Sequence, residues 1–497
     1  MTHSPIDPFT PAVELAAAIR RKEVSPVEVA DCYLRRMDGL DPRLNAFCHR
    51  ADADVRKAAA AAADAVTRAS SPDDLPPFHG VPLPVKDFLD VAGWPTTYGS
   101  AGADRTPAAA SDQVVRRFVD AGFVPLGKTT TSEFGSLPFS ESEALGISRN
   151  PWDPGRTPGG SSSGAGAAVA AGMAPLAHAE DGGGSIRIPA SCNGLVGLKP
   201  TRGLVARAAV VVEGLAASGV LTRTVADTAA ALDVLVRHDP AAWWSPPTPR
   251  GSFAEAAGKD APAGLRVGVL TDSPVAGIPV DPACTAAVEL TLRALEAAGH
   301  RIVDARLPLP ATDELVGSFT TLWNVGGAGV PLADPDRIEP HNRALREAAR
   351  SIDSWAYAEA VTRTQHLSRR VVEGFLPRFD LLVTPTMACL PPTVGAWRAG
   401  TGDDPLAALR NSYPMGVFTS LFNVTGQPAI SLPVHHDPAT GLPVGVQLVG
   451  APWREDLLLQ VARLLERALP WSGRRPPVGL GLDLDLDLGH DLGLGLG

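Results

Sequence analysis

The chain has 497 residues, of which 45% are hydrophobic and 20% charged, with a formal net charge of −10. That balance fits a globular protein with a large core, and the acidic excess without a dense Lys/Arg block disfavours nucleic-acid and anionic-membrane partners. The N-terminus lacks the basic start and apolar run of a signal peptide, and no apolar stretch reaches membrane-spanning length. Five scattered cysteines, Cys32, Cys48, Cys192, Cys284 and Cys389, suit a reducing cytoplasm better than a disulfide framework.

In chain order, the first clear helix opens at Ser25-Pro26-x-Glu28, a capping box with proline at the first helical position. A second, Ala-dominated helix covers 51–69. In VPLPVKD, Val81, Leu83 and Val85 alternate with Pro82, Pro84 and Lys86, which predicts a short strand at an edge or strand end. Helices are predicted over 111–121, 164–174, 283–298 and 455–468, with Gly299 closing the third. Strands are predicted over 124–128, 265–270, 380–386, 428–433 and 443–449. The βα alternation predicts an α/β sheet covered by helices on both faces. Residues 240–262 read as a long surface connection, and the Gly/Leu/Asp-rich run 479–497 as a disordered tail outside the fold.

Two motif matches fail on context. Residues 122–129, GFVPLGKT, satisfy the phosphate-loop pattern, but a helix precedes them and the strand lies inside the motif, so backbone amides cannot cradle a phosphate there. Gly160-Ser161-Ser162-Ser163-Gly164 fits a nucleophile elbow, but the turn-rich NPWDPGRTPG upstream cannot supply the required strand.

The chemistry concentrates in 157–201. Two glycine–serine clusters stand 24 residues apart, and in the second three glycines precede Ser185. Such a run can aim several bare N–H groups at one point beside a hydroxyl, as an oxyanion hole requires. Neither cluster contains a histidine. A buried, neutral lysine can act as base instead, and Lys86, Lys128 and Lys199 are the candidates. His178 and Cys192 read as packing residues, and His435-His436-Asp437 as a solvated turn rather than a metal cluster. Trp243 and Trp244 sit in a Pro-rich loop that could cover a site.

These segments together resemble the amidase-signature hydrolases. Gly80-Val-Pro82…Lys86-Asp87, Gly159-Gly160-Ser161-Ser162-Ser163-Gly164, Asp181-Gly-Gly-Gly184-Ser185-Ile-Arg187-Ile-Pro189-Ala190 and Gly194…Gly197-Leu-Lys199-Pro200-Thr201 follow the family's order. The resemblance continues through GKTTTSEF, VTPT, FNVTGQPAISLP and GLPVGVQLVG, over roughly 10–470. It implies a single amidase domain over 1–478, with a signature core about 80–230 and a variable substrate-side region about 235–420. The implied fold is a central mixed, twisted sheet with helices on both faces.

It further implies Ser185 as nucleophile, Lys86 as base and Ser161 as a cis-peptide serine relaying protons between them. Gly182, Gly183 and Gly184 would form the oxyanion hole, with Asp181 and Arg187 bracing the loop; Lys128 and Lys199 become structural. No metal or cofactor is implied. The expected partner is a small-molecule amide, in the cytoplasm, with a homodimer compatible. Ser163, Ala165 and Thr130 depart from the usual letters without touching the triad. Gly182 and Ile188 depart from amidotransferase A subunits, so the chain looks more like stand-alone amidases of the 6-aminohexanoate-cyclic-dimer-hydrolase type. A glutamine-hydrolysing A subunit and a non-catalytic scaffold are the alternatives.

Overall fold

A computed structural model describes residues 6–479 except 210, 245–248, 250, 305–306, 310, 401 and 403. The run from 480 onward, expected to be a disordered tail, lies outside the described residues. The helix Pro26–Leu44 begins as its letters predict: Ser25 Oγ accepts from the Val27 N–H, and Glu28 accepts from the Ser25 N–H at 2.8 Å. This reciprocal cap satisfies donors that the first helical turn cannot. Helices Asp52–Arg68, Gln113–Asp120, Pro282–Ala297 and Glu455–Ala468 also fall where predicted, and Gly299 follows the third with φ 86°.

Three short strands, β1 (Phe47–His49), β2 (Pro82–Lys86) and β3 (Val124–Thr129), form a sheet in the order β1-β3-β2. A two-stranded ribbon, β4 (Glu141–Ser142) and β5 (Gly146–Ile147), follows. The main sheet contains β6 (Leu176–Asp181), β7 (Val196–Lys199), β8 (Ala217–Thr222), β9 (Arg266–Val269), β10 (Arg301–Asp304), β11 (Leu381–Pro385), β12 (Ala429–His436) and β13 (Pro443–Gly450). Its order is β10-β9-β11-β13-β12-β7-β8-β6; β9 pairs in parallel with β10 and β11, and the remaining pairs are antiparallel. Repeated βα alternation thus yields two sheets rather than one layer. β2, an edge strand as its prolines predict, pairs with β3 and lies against β6.

The sheet is covered on both faces, and its side-chain alternation shows how. Ile430, Leu432, Val446, Leu448, Leu381 and Val383 enter one core with the helices Val225–Leu235, Pro282–Ala297 and Glu455–Ala468. Their neighbours Ala429, Val449 and Leu382 enter a second core with the helices Thr312–Ala328, Ser354–Phe375 and Tyr413–Thr425. A one-residue slip would exchange the two sets, so burial on both sides fixes the register.

Between the glycine–serine clusters lies not only the helix Ser163–Ala170 but also strand β6, every residue of which is buried. The small side chains of that helix serve close packing: a Cβ on Gly164 would stand 2.1 Å from the Ala46 carbonyl oxygen. The connection 240–262 contains the short helix Phe253–Ala257. Among the described residues no helix is long and apolar enough to cross a membrane.

Candidate active site

The site forms where the two sheets meet. Lys86 is the last residue of β2, Ser185 follows β6 by four positions, and Ser161 stands just before the helix Ser163–Ala170. Lys86 is 1% exposed, with Nζ 2.7 Å from Ser161 Oγ; Ser161 Oγ lies 3.0 Å from Ser185 Oγ. The peptide bond Gly160–Ser161 is cis. Burial lowers the Lys86 pKa from 10.5 to about 7, opposing and exceeding the stabilising fields of Glu180 and Asp181. A Phe88 ring covers the amine at 4.5 Å.

Past β6 the chain makes its glycine loop. Gly184 has φ 137°, a conformation an L side chain rarely adopts, and its missing Cβ leaves room for Thr419 and Ile188. The Thr419 hydroxyl donates to the Gly183 carbonyl at 2.7 Å, fixing that peptide plane. Among the described residues, the N–H groups of Gly182, Gly183, Gly184 and Ser185 have no protein acceptor. Rings of Trp323 and Phe319 lie over Gly182 and Gly183.

Beneath the loop is a closed polar network. Arg187 donates to both Asp181 carboxylate oxygens, from Nε at 2.9 Å and from a terminal nitrogen at 2.8 Å. Its remaining donors reach Asn423 Oδ1, Gln447 Oε1 and the Thr419 carbonyl. Asn423 donates back to the Asp181 carboxylate and main-chain carbonyl. Burial opposes charge on Asp181, but Arg187 outweighs it and holds the carboxyl at about 2. The second oxygen of Asp181 also accepts from the N–H groups of Ile186 and Arg187. Charge-assisted bonds of this kind fix the turn that carries Ser185.

The other lysines are committed elsewhere. Lys128 pairs with Asp87 at 3.0 Å and donates to Thr96 and the Pro95 carbonyl. Lys199 donates to the Pro200 carbonyl; burial lowers it too to about 7, so geometry rather than titration separates it from Lys86. The phosphate-loop match is β3 itself, followed only by a one-turn 3-10 helix at Glu133–Gly135 and not by an α-helix. Ser162, the elbow serine, is fully buried with its hydroxyl on the Glu180 main chain.

Cys192 is buried beside Met387, and burial raises its thiol well above the usual range. His178 does more than pack: its Nδ1 accepts from the Lys86 N–H at 3.3 Å, and burial lowers it to about 3, so the ring is neutral. His435 and His436 end β12, with His436 edge-on to Trp152, and Asp437 caps the turn that follows. Trp243 is 85% exposed, whereas Trp244 covers Gly214 and Gly203.

Ser185 opens into a cavity of about 120 Å³ whose walls include Ile188, Leu315, Phe319, Trp323 and Tyr413. Apart from Ile188, the sequence alone singles out none of these walls, nor Thr419, Asn423 and Gln447. The last two could have been suspected, as single polar letters inside the apolar runs LFNVTG and VGVQLVG.

Fold and site together define a hydrolase of amide C–N bonds. The family profile described as Amidase matches residues 28–459. A 6-aminohexanoate-cyclic-dimer hydrolase of Paenarthrobacter ureafaciens is 36% identical over 495 residues, covering 95% of this chain and 97% of that one. The structure of a 6-aminohexanoate cyclic dimer hydrolase complexed with substrate superposes with TM-score 0.88 at 36% identity, over 95% of this chain and all of that one. A bacterial aryl acylamidase of the amidase-signature enzymes gives TM-score 0.84 at 25% identity, over 95% and 100% of the two chains. The chain belongs to the amidase family.

Proposed function

We propose that this amidase works through an acyl-enzyme formed on Ser185, with Lys86 as base and Ser161 as relay. The observation that carries the proposal is the unbroken Nζ–Oγ–Oγ chain of 2.7 and 3.0 Å, ending beside a loop of uncommitted N–H groups. With Lys86 neutral, Ser161 donates to Nζ and Ser185 donates to Ser161. As Ser185 Oγ bonds to the carbonyl carbon, its proton passes to Ser161 and the Ser161 proton passes to Lys86. The carbonyl oxygen becomes an oxyanion held by N–H groups of the Gly182–Ser185 loop. The C–N bond then breaks as Ser161 protonates the departing amine and recovers a proton from Lys86. Water, deprotonated through the same relay, attacks the ester; the bond to Ser185 Oγ breaks as that oxygen recovers the proton from Lys86 through Ser161, and the carboxylic acid is released.

The cavity at Ser185 is mostly apolar, which suits an aliphatic or aromatic acyl group. The chain's likeness to 6-aminohexanoate cyclic dimer hydrolase makes cyclic and linear aliphatic amides the first substrates to screen, with aryl amides beside them. The relatives' names do not favour the glutamine-hydrolysing subunit. The test is a serine-reactive phosphonate followed by peptide mass mapping: one adduct on the peptide holding Ser185 is expected, and an adduct on Ser162 instead refutes the assignment.

A further inference from the structure

A second cavity, of about 400 Å³, lies on the other side of Trp323; Trp323 and Ser136 line both spaces. It meets the catalytic chain on the Lys86 side. Phe88, whose ring covers Lys86 Nζ, is one of its walls, and so is Glu180, next to Asp181. A Cβ built on Gly135, in the wall of the first cavity, would stand 2.9 Å from the Phe88 ring and 3.3 Å from Ser161 Oγ. The relay serine therefore sits at the boundary of the two spaces. The group that Ser161 protonates is the departing amine, so the amine half of the substrate extends to this side.

The lining is unlike that of the first cavity. Arg207 and Arg346 both face it. Arg207 uses one terminal nitrogen on Glu180 Oε1, at 2.6 Å, and on Ser218 Oγ, at 3.2 Å. Arg346 uses one on the carbonyls of Gly327 and Val330, at 3.4 and 3.2 Å. Among the described residues the other donors of both guanidiniums have no hydrogen-bond acceptor, although the Arg346 guanidinium also lies over the Phe134 ring at 5.9 Å. The two nearby carboxylates are already occupied: Glu180 Oε1 accepts from Arg207 and Ser218, and Glu133 accepts from Ser100, Asn342 and the Glu339 N–H. His178, facing Glu180 at 3.8 Å, is neutral. Unused guanidinium donors in a partly dry space fit a carboxylate better than they fit water.

We infer that the second cavity is the leaving-group chamber and that it selects amides whose amine half carries a carboxylate, that is, amides of amino acids. The inference rests on the triad proposed above, because that triad fixes which half leaves on the Ser161 side. Arg346 is then a specificity-determining residue, and Trp323 the partition that separates an apolar acyl half from an anionic amine half.

The test takes an acyl group already found to turn over and varies the amine from glycine through 4-aminobutyrate to 6-aminohexanoate. Each amide is paired with its isosteric, neutral carboxamide-capped counterpart. For at least one chain length kcat/KM should favour the free carboxylate by roughly tenfold or more, the scale of one charge-assisted hydrogen bond. In Arg346→Gln that ratio should fall toward one, and Arg346→Lys should keep part of it. Because each ratio is taken within one variant, partial misfolding cancels. Equal or faster turnover of the capped amides by the wild type at every length overturns the inference, as does a wild-type ratio in Arg346→Gln. Either outcome leaves the Ser185 mechanism standing; absence of any Ser185 adduct would instead remove the premise.

Discussion

Replacing Lys86 separates its chemical from its structural role. At its ordinary value of 10.5 a lysine is neutral in about one molecule in 3000 at pH 7, whereas at about 7 it is neutral in about half. Burial in the fold therefore raises the population of usable base by about a thousandfold. The rate of acyl-enzyme formation, followed as the burst of released amine, should rise with pH along a limb centred near 7. Lys86→Arg keeps the charge but cannot lose its proton, so it should remove the limb and slow acylation by about 10² to 10⁴.

The same burial has a cost in stability. The unfolded chain protonates Lys86 below 10.5 and the folded one only below about 7, so the fold loses stability as pH falls across that window. The loss is about 5 kcal/mol at about 1.4 kcal/mol per decade, against about 1 kcal/mol for the hydrogen bond to Ser161. Lys86→Met should consequently be inactive yet more resistant to urea at pH 6, with the gain shrinking toward pH 10. Lys199, lowered to a similar value, is the control: Lys199→Met should leave the kinetic limb in place. Near-normal acylation with an unchanged pH profile in Lys86→Arg would refute the assignment and turn attention to His178.

Ser185→Ala should retain the fold by circular dichroism and lose essentially all amide hydrolysis, because no neighbouring group replaces the covalent step. Exhaustive chelation should leave turnover unchanged; loss restored by zinc would overturn the mechanism. Asp181→Asn leaves Arg187 buried against a neutral partner and should cost about 3–5 kcal/mol in urea unfolding. Asp181's own stabilisation is complete above about 3.8 and fades as pH falls toward 2, so the gap between wild type and variant should narrow in acid.

How much of this was legible in the sequence differs by residue. Capping letters located the helix Pro26–Leu44, and the prolines of β2 announced an edge strand. β6 escaped because LAHAED lacks the β-branched residues and the Phe, Tyr or Trp that mark a strand; its burial comes from β8 and from β2, which local composition does not encode. For the site, residue types alone left three lysines open. The family motifs singled out Lys86, and the distance to Ser161 agrees. What separates it from Lys199 is tertiary position, since both are buried to the same effect. The cavity walls come in part from the helix Thr312–Ala328, whose Phe319 and Trp323 matter only through what lies opposite them.

The brace on the glycine loop has a consequence for synthesis. Arg187 is tied to Thr419, Asn423 and Gln447, 232, 236 and 260 positions further along the chain. A ribosome that has made only the signature segments has made Lys86, Ser161 and Ser185, yet Arg187 in that nascent chain has only Asp181 as a partner and lacks the three later ones. The brace is thus complete only once the helix Tyr413–Thr425 and strand β13 are in place. A product truncated before Thr419 should therefore hold Ser185 less firmly and hydrolyse amides more slowly than the full chain.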